Sequence, residues 1–327
     1  MPVYNGAKFL EESIGSLFAQ TFADFEIIAV DDGSTDSSLE VLSGLRRQDG
    51  RLQIHSRSNS GGPAVPKNDG IGIAKGEYIG FLDYDDYCHP EHLHELVVGL
   101  DANQKWIAAF HDIEVVDVFG KPRPQTYLQE IEFRNKASHY LVGLGEAWFE
   151  CAADFHDFML FHHAAMHTQS VLIARKRLNG ATLSFDARYR IGEDTDLWLR
   201  LGYLSRLGRL GRIGFLDRVL GSYRMHLANI TKDKLESAEG VVMVYVNHYR
   251  EISGSADEGM LSRLREKISY KHGRLAYELY ALGKHRLARA HFTEAMKWFP
   301  NRSYGVDRFK TYLPAAVSGW LRRVRAS

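Results

Sequence analysis

The chain is short of cysteine, of long apolar runs and of net charge. Only Cys88 and Cys151 occur among 327 residues. They lie far apart and in no metal-ligand spacing, which excludes a disulfide scaffold and a cysteine-held zinc site and fits a reduced cytoplasm. No run of about 18 apolar residues is present, so a transmembrane helix is not expected, and the N-terminus lacks the basic-then-apolar layout of a signal peptide. Lysine plus arginine number 41, as do aspartate plus glutamate. A balanced bulk field does not advertise nucleic acid as a partner. The 25% charged and 45% hydrophobic content is that of an ordinary globular chain, long enough for one large α/β domain with an appendage or for two domains.

What is present is a repeated grammar of apolar strand followed by acids. Phe81-Leu82-Asp83-Tyr84-Asp85-Asp86 puts three carboxylates directly after an apolar run, and Ile27-Ile28-Ala29-Val30-Asp31-Asp32-Gly33-Ser34 does the same with two. Carboxylates this close repel unless a cation joins them. Hard oxygen donors suit Mg²⁺ or Mn²⁺ rather than zinc, and such ions usually bind through one or two carboxylates plus substrate phosphates. Taken alone, Asp83-x-Asp85 reads equally as a solvated turn.

Helical spacing at Phe9, Leu10, Ile14, Leu17 and Phe18 precedes a strand over 25–30; a helix through Leu39, Val41, Leu42 and Leu45 precedes a strand over 52–55. A helix over 68–74 and a strand over 78–82 follow. This alternation predicts an α/β fold, a Rossmann-like, mostly parallel sheet flanked by helices, with ligands outside the carboxyl ends of the strands. Met1-Pro2-Val3-Tyr4-Asn5-Gly6 reads as a strand end and turn with little strand before it, as though a few upstream apolar residues belong there. Residues 119–165 are aromatic and histidine-rich without a clean period and are expected to fold over the cleft as a lid or acceptor-reading insertion. His156, His162 and His163 lack a second ligand pair at recognisable spacing for zinc. After Asn229 only helices are expected, which divides the chain into 1–105, 106–235 and an all-helical tail over 236–327.

Pro2-Val3-Tyr4-Asn5, the Val30-to-Asp36 turn, Asn59 with Gly62 and Asn68, Gly76-Glu77-Tyr78-Ile79 and Phe81-to-Asp86 come in one order at one spacing. This set resembles the family 2 glycosyltransferases, enzymes of the A-type glycosyltransferase fold that use nucleotide sugars, over residues 2 to about 230. The resemblance implies that Pro2 and Tyr4 lie at the nucleobase, with Tyr4 against its face, and that Asp32 or Asp31 bonds the base. It places Asn59, Lys67 and Asn68 on the nucleotide side, Asp83 at the ribose or a metal-bound water, and Asp85 on the metal with Asp86 supporting. An aromatic face stacks on a base, and a carboxylate accepts from a pyrimidine N–H. Two positions depart from the pattern. Tyr84 replaces a small residue and could crowd the sugar pocket; Lys67 replaces an arginine, exchanging a fork for a point charge.

Gly192-Glu193-Asp194 precedes the helical Thr195-Asp196-Leu197-Trp198-Leu199-Arg200. A carboxylate at a helix start is held ionised by the amides and dipole there and can take a proton from a hydroxyl. An acidic cap is the alternative. The resemblance assigns Asp194 the base role, with Glu193 orienting the acceptor or the base. Asp196 is expected to cap or to pair with Arg200 at i+4. In Tyr223-Arg224-Met225-His226, the resemblance brings His226 to the metal or diphosphate. Arg224 and Arg200 join the phosphate or acceptor contacts, and His167 and Gln169 the acceptor side.

These readings converge on an inverting transfer of a sugar from a nucleoside diphosphate sugar, UDP by default, to a hydroxyl of a glycan or lipid-linked acceptor in surface polysaccharide or glycoconjugate synthesis. A metal-dependent nucleotidyltransferase and a sugar-nucleotide-binding or scaffold protein without transferase activity are the other readings. Leu275, Leu279, Tyr280, Gly283, Ala288, Phe292, Ala295 and Pro300 have the spacing of one tetratricopeptide-like hairpin, expected to dock elsewhere because a single repeat cannot bury its own face. Residues 309–325 combine apolar positions with Arg322, Arg323 and Arg325. They read as a basic amphipathic helix on an anionic membrane surface, peripheral to its inner face, or as a solvated terminal helix.

Overall fold

Of the two apolar runs that end in acids, the first becomes a parallel strand and the second follows a short antiparallel one. The computed structural model describes residues 1–227, 229 and 233–312, and the chain divides into two compact units, Met1–Asn229 and Ile230–Ser327.

The first unit contains strands β1 (Pro2–Val3), β2 (Ile27–Asp31), β3 (Leu52–Ser56), β4 (Tyr78–Gly80), β5 (Tyr87–Cys88), β6 (Trp106–Val116), β7 (Leu141–Gly143), β8 (Trp148–Cys151), β9 (Val171–Ala174) and β10 (Arg212–Arg224). Its helices are α1 (Leu10–Phe18), α2 (Ser38–Arg46), α3 (Ala64–Ile73), α4 (His92–Ala102), α5 (Tyr127–Glu130), α6 (Phe133–Lys136), α7 (Phe155–Phe161) and α8 (Glu193–Arg206). The order β1-β2-β3 forms a parallel sheet in which Val3 faces Asp31 and Asp31 faces Ser56. Leu10 and Ile14 of α1 and Leu42 and Leu45 of α2 bury against Val3, Ile27, Ala29 and Leu52 of this sheet, the apolar stripe that their helical spacing requires. The Met1 ammonium donates to Ile28 O at 2.9 Å, and burial pushes its pKa down to about 5.

The second sheet runs β4-β9-β6-β10-β8-β7, with β5 also on β10. Here only β6 and β10 are parallel; the other pairings are antiparallel. Parallel character therefore belongs to the β1–β3 half and to the β6–β10 pair.

The lid expected over residues 119–165 is not what forms. Trp148 to Cys151 make β8 against β10, and Phe133, Phe155 and Phe158 are buried with Phe110 and Phe215. Ring centroids lie 4.9 Å apart for Phe133–Phe215 and 5.0 Å for Phe110–Phe215. At about 1.5–3 kcal/mol per buried apolar side chain, these rings make the segment core. Its irregular period reflects several short elements packed on both sides of one sheet. His156 is buried beside Asp157 and Tyr203, and His162 stacks on Phe158.

The second unit contains α9 (Lys234–Ile252), α10 (Glu258–Ala281), α11 (His285–Trp298) and α12 (Arg302–Lys310). Gly283, at φ +74°, makes the α10–α11 turn. The hairpin does not need an outside partner for the faces it buries. Val242 of α9 joins Leu275, Leu279 and Ala288, while Tyr304 of α12 joins Ala276, Phe292 and Ala295. Among the described residues no helix is long and apolar enough to cross a membrane. The basic segment beyond Tyr312 lies outside the described residues.

Candidate functional site

The acids of both halves meet at the carboxyl ends of the strands. Asp31 closes β2 and is 1% exposed; its Oδ2 accepts from Ser34 N, while its Oδ1 is buried without a hydrogen-bond partner. Asp32 is already engaged. Arg57 Nη1 donates to its Oδ1 at 2.6 Å, and Ser60 N and Oγ donate to its Oδ2 at 2.9 and 2.8 Å. Asn59 Nδ2 donates to Asp32 O, and Asn59 Oδ1 accepts from Gly61 N. Asp32 and Asn59 thus shape the loop after β3, leaving Asp31 with the free acceptor. Pro2 is buried in β1, and the ring of Tyr4 just beyond it is 45% exposed, so its face is open to a ligand.

Tyr84 does not enter a pocket in the way its bulk suggested. It packs on the β1–β3 core, where a Cβ added at Gly6 would lie 2.5 Å from its Cδ2. Gly6 thus makes the room that the tyrosine needs.

Asp85 and Asp86 divide their work. Asp85 Oδ2 lies 2.8 Å from His226 Nε2 and accepts from Asn229 Nδ2 at 3.3 Å. The His226 ring stacks on Phe9 at 4.7 Å, which fixes its plane. Asp86 is 1% exposed and accepts from Arg224 N at 2.8 Å, tying the end of β10 to the acid cluster. Burial, then Asp85 and Asp83, push its carboxyl well above the usual carboxylate range. Arg224 is consumed by this framework: its side chain donates to Asp85 O, Val118 O and Glu12 and lies over Phe9 and Tyr87. The phosphate contact expected of it is replaced by these bonds. Arg200 likewise pairs with Asp196 at i+4 and donates to Ser184 O. Asn68 exchanges two 2.7 Å bonds with the backbone of Phe185, a loop clamp rather than a nucleotide contact.

Lys67 links the two halves. It is 4% exposed, with Nζ 3.4 Å from Asp83 Oδ1 and 3.0 Å from Glu193 Oε1. Burial alone would lower its pKa, but Asp83, Glu193 and Asp194 outweigh that and raise it, so Lys67 stays charged. Gly192, at φ +95°, turns the chain into α8, a conformation that costs glycine little. Glu193 and Asp194 follow in the first turn. Asp194 Oδ1 accepts from Thr195 N at 2.6 Å and its Oδ2 from Thr168 Oγ1 at 2.9 Å. His167 and Gln169 flank Thr168 in a short 3₁₀ turn before β9; His167 Nδ1 and both amide atoms of Gln169 are buried without partners. His167 is held between Tyr127 and Tyr223. Burial lowers its pKa, and Asp194, Asp83, Lys67 and Asp85 all act on it, which puts it between the acid clusters.

Phe9, Asn229 and Tyr127 were not distinguishable as site residues in the sequence. Asn229 follows His226 by three positions, a spacing with no meaning until β10 ends beside Asp85.

Glu193 gives a pH signature. Burial, opposed by Lys67 and reinforced by Asp194, raises its pKa from 4.5 to about 7. Between those values the folded chain holds a proton that the unfolded chain releases, so this contribution to stability falls as pH rises from 4.5 to about 7. It amounts to about 3 kcal/mol at 1.36 kcal/mol per unit. Urea midpoints across that range should show the stability difference between wild type and Glu193→Gln changing by this amount; a constant difference would rule it out.

A divalent cation is compatible with the donors present. Among the described residues no three or more His, Cys, Asp or Glu side chains form a complete metal cage. Asp85 and His226 supply one hard oxygen and one imidazole nitrogen at a shared point, and a site of this kind is completed by phosphate oxygens and water.

Comparisons with known proteins bear on the family and the fold. Residues 1–164 match the model of glycosyl transferase family 2. The poly(ribitol-phosphate) β-glucosyltransferase of Bacillus spizizenii is 49% identical over 96 residues, 28% of this chain and 15% of that protein. Glycosyltransferase GlyG of Streptococcus pneumoniae is 46% identical over 86 residues, 26% of this chain and 29% of that protein. The alignments thus span well under two thirds of these relatives' lengths. Among solved structures, Staphylococcus aureus TarS 1-349 in complex with UDP-GlcNAc superposes with a TM-score of 0.65 at 19% identity, covering 92% of this chain and 80% of that one. The mannosyltransferase PcManGT from Pyrobaculum calidifontis, in complex with GDP-Man and Mn²⁺, gives 0.58 at 16% identity over 93% and 76%. The architecture is therefore the one these enzymes share, and the chain belongs to glycosyl transferase family 2.

Proposed function

We propose that this chain transfers a sugar from a nucleoside diphosphate sugar, UDP in the first instance, to a hydroxyl of a glycan or lipid-linked acceptor, with inversion. The observation that supports the reading is the Asp83–Lys67–Glu193 bridge, which ties the acid cluster after β4 to the first turn of α8, where Asp194 stands. The half up to about residue 105 takes the nucleotide, with Tyr4 against the base and Asp31 Oδ1 as its acceptor. The half that follows takes the acceptor.

The acceptor oxygen attacks the anomeric carbon as the bond to the diphosphate oxygen breaks, and its proton passes to Asp194. Asp85 and His226, with Asp86 behind them, would hold Mn²⁺ or Mg²⁺, which when bound supplies positive charge to the departing diphosphate. His167 Nδ1 and the Gln169 amide remain to bond hydroxyls of the transferred sugar or acceptor. TarS and PcManGT structures containing UDP-GlcNAc or GDP-Man with Mn²⁺ support a nucleotide-sugar donor.

The test is a thermal-shift series of UDP, dTDP and GDP sugars with Mn²⁺, followed by release of nucleoside diphosphate with water as acceptor. A ligand at a hundredfold excess over its Kd stabilises by about 2.7 kcal/mol. Binding of one nucleotide sugar with metal-dependent hydrolysis is expected. Binding without hydrolysis points to a binding protein; diphosphate release from a nucleoside triphosphate points to a nucleotidyltransferase.

A further inference from the structure

Asp194 is held by donors from two residues of different origin: Thr195, whose N and Oγ1 both donate to Oδ1 at 2.6 and 3.3 Å, and Thr168. Thr195 N belongs to its own helix, where any first-turn carboxylate finds an amide. Thr168 Oγ1, which donates to Asp194 Oδ2 at 2.9 Å, comes from a separate element 26 residues earlier in the chain. Thr168 is 3% exposed, so little water competes for its hydroxyl. Its turn is stiff: Ser170 donates to His167 O through both its amide, at 2.9 Å, and its hydroxyl, at 2.8 Å. The turn leads directly into β9, which lies between β4 and β6. The sheet therefore carries a rigid hydroxyl to one oxygen of a carboxylate that stands on another element.

We propose that Thr168 is a positioning residue for Asp194: its hydroxyl fixes the rotamer of the carboxylate that receives the acceptor proton. This rests on the base role given to Asp194 above. A carboxylate has about four lone-pair positions. Thr195 N and Oγ1 occupy positions on Oδ1 and Thr168 Oγ1 one on Oδ2, so the orientation of those left for the incoming hydroxyl is set. Without Thr168 both remaining donors sit on Oδ1, and Oδ2 is free to swing about that anchored side. Misplacement on the ångström scale is enough to cost orders of magnitude in rate. The other titratable groups acting with Asp194 are Lys67, Glu193, His167 and Tyr127. None is altered by a change at Thr168, so a difference between variants isolates the hydroxyl.

The test compares Thr168→Ser, Thr168→Ala and Thr168→Val in the full chain, using the nucleotide sugar that gives the largest thermal shift, with Mn²⁺ and water as acceptor. Serine and alanine both lack the methyl, so they differ only in the hydroxyl. Thr168→Ser should keep kcat within about twofold. Thr168→Ala and Thr168→Val should lower kcat about ten- to a hundredfold with KM for the donor unchanged. Equal loss in serine and alanine variants, or a loss in the alanine variant that appears in KM rather than in kcat, overturns the proposal. Asp194→Asn run alongside separates the two claims. If it stays active, the base assignment itself fails; if it is inactive while Thr168→Ala matches wild type, only the positioning role fails.

Discussion

Asp194→Asn is expected to lower nucleoside diphosphate release by about 10²- to 10⁴-fold, the range attributed to a positioned general base, while leaving nucleotide binding intact. The carboxamide is nearly isosteric and can still accept from Thr195 N or Thr168 Oγ1, so the start of α8 should survive. What is lost is the basic oxygen, since an amide cannot hold the proton of an incoming hydroxyl at neutral pH. Asp194 touches neither the Asp31 side of the cleft nor the Asp85–His226 pair through any bond found, and its contacts are with Thr168 and Thr195. The thermal shift produced by the donor nucleotide should therefore match wild type within error. A variant that binds and turns over at the wild-type rate would remove Asp194 from the chemistry and return it to the role of an acidic cap.

The donor half was legible because its grammar is local. Ile27-to-Asp31 carries strand and acid in consecutive residues, and Asp83, Asp85 and Asp86 follow shortly after β4, so each acid group was visible beside its own strand. The partners of those acids were much less legible. Lys67, Asn68 and Arg224 were assigned to ligand contacts, and each bonds a residue or backbone group of the protein, whereas the Asp196–Arg200 pair was readable from its i+4 spacing. Nothing at position 67 announces a glutamate at position 193; only the fold brings them to 3.0 Å. Asp31 and Asp32 were indistinguishable in sequence, and the loop after β3 separates them by engaging Asp32 and leaving one oxygen of Asp31 unpartnered. Residues 119–165 failed for a different reason. Short elements whose rings enter a mixed sheet from several directions produce no single period, so a core segment resembled a loop. In the second unit, the hairpin period was visible, but its cover was not, because that comes from two further helices, through Leu235, Ala238, Val242 and Val246 of α9 and Tyr304 of α12.

The bridge at Lys67 leads to the largest expected effect on stability. Lys67→Met removes a buried cation and leaves Glu193, 6% exposed, and Asp83 without it. Breaking a buried ion pair from one side typically costs about 3–5 kcal/mol, because the remaining charge is uncompensated. Here the acid has an escape. With a pKa already raised to about 7, Glu193 takes up a proton more readily once Lys67 is gone. The loss should therefore fall near the lower end of that range at pH 7 and shrink further at pH 5, where the carboxyl is neutral in both proteins. The same reasoning makes Lys67→Met/Glu193→Gln more stable than Lys67→Met at pH 7, by about 1 kcal/mol or more, since the double variant has no buried charge to neutralise at that pair. Urea midpoints of the four proteins at the two pH values complete the cycle. If Lys67→Met and the double variant unfold together at both, the bridge contributes packing alone. Its role in holding the α8 start against the donor-side acid Asp83 would then pass to the hydrophobic stem of the lysine over Phe185, 5.2 Å from the ammonium to the ring centroid.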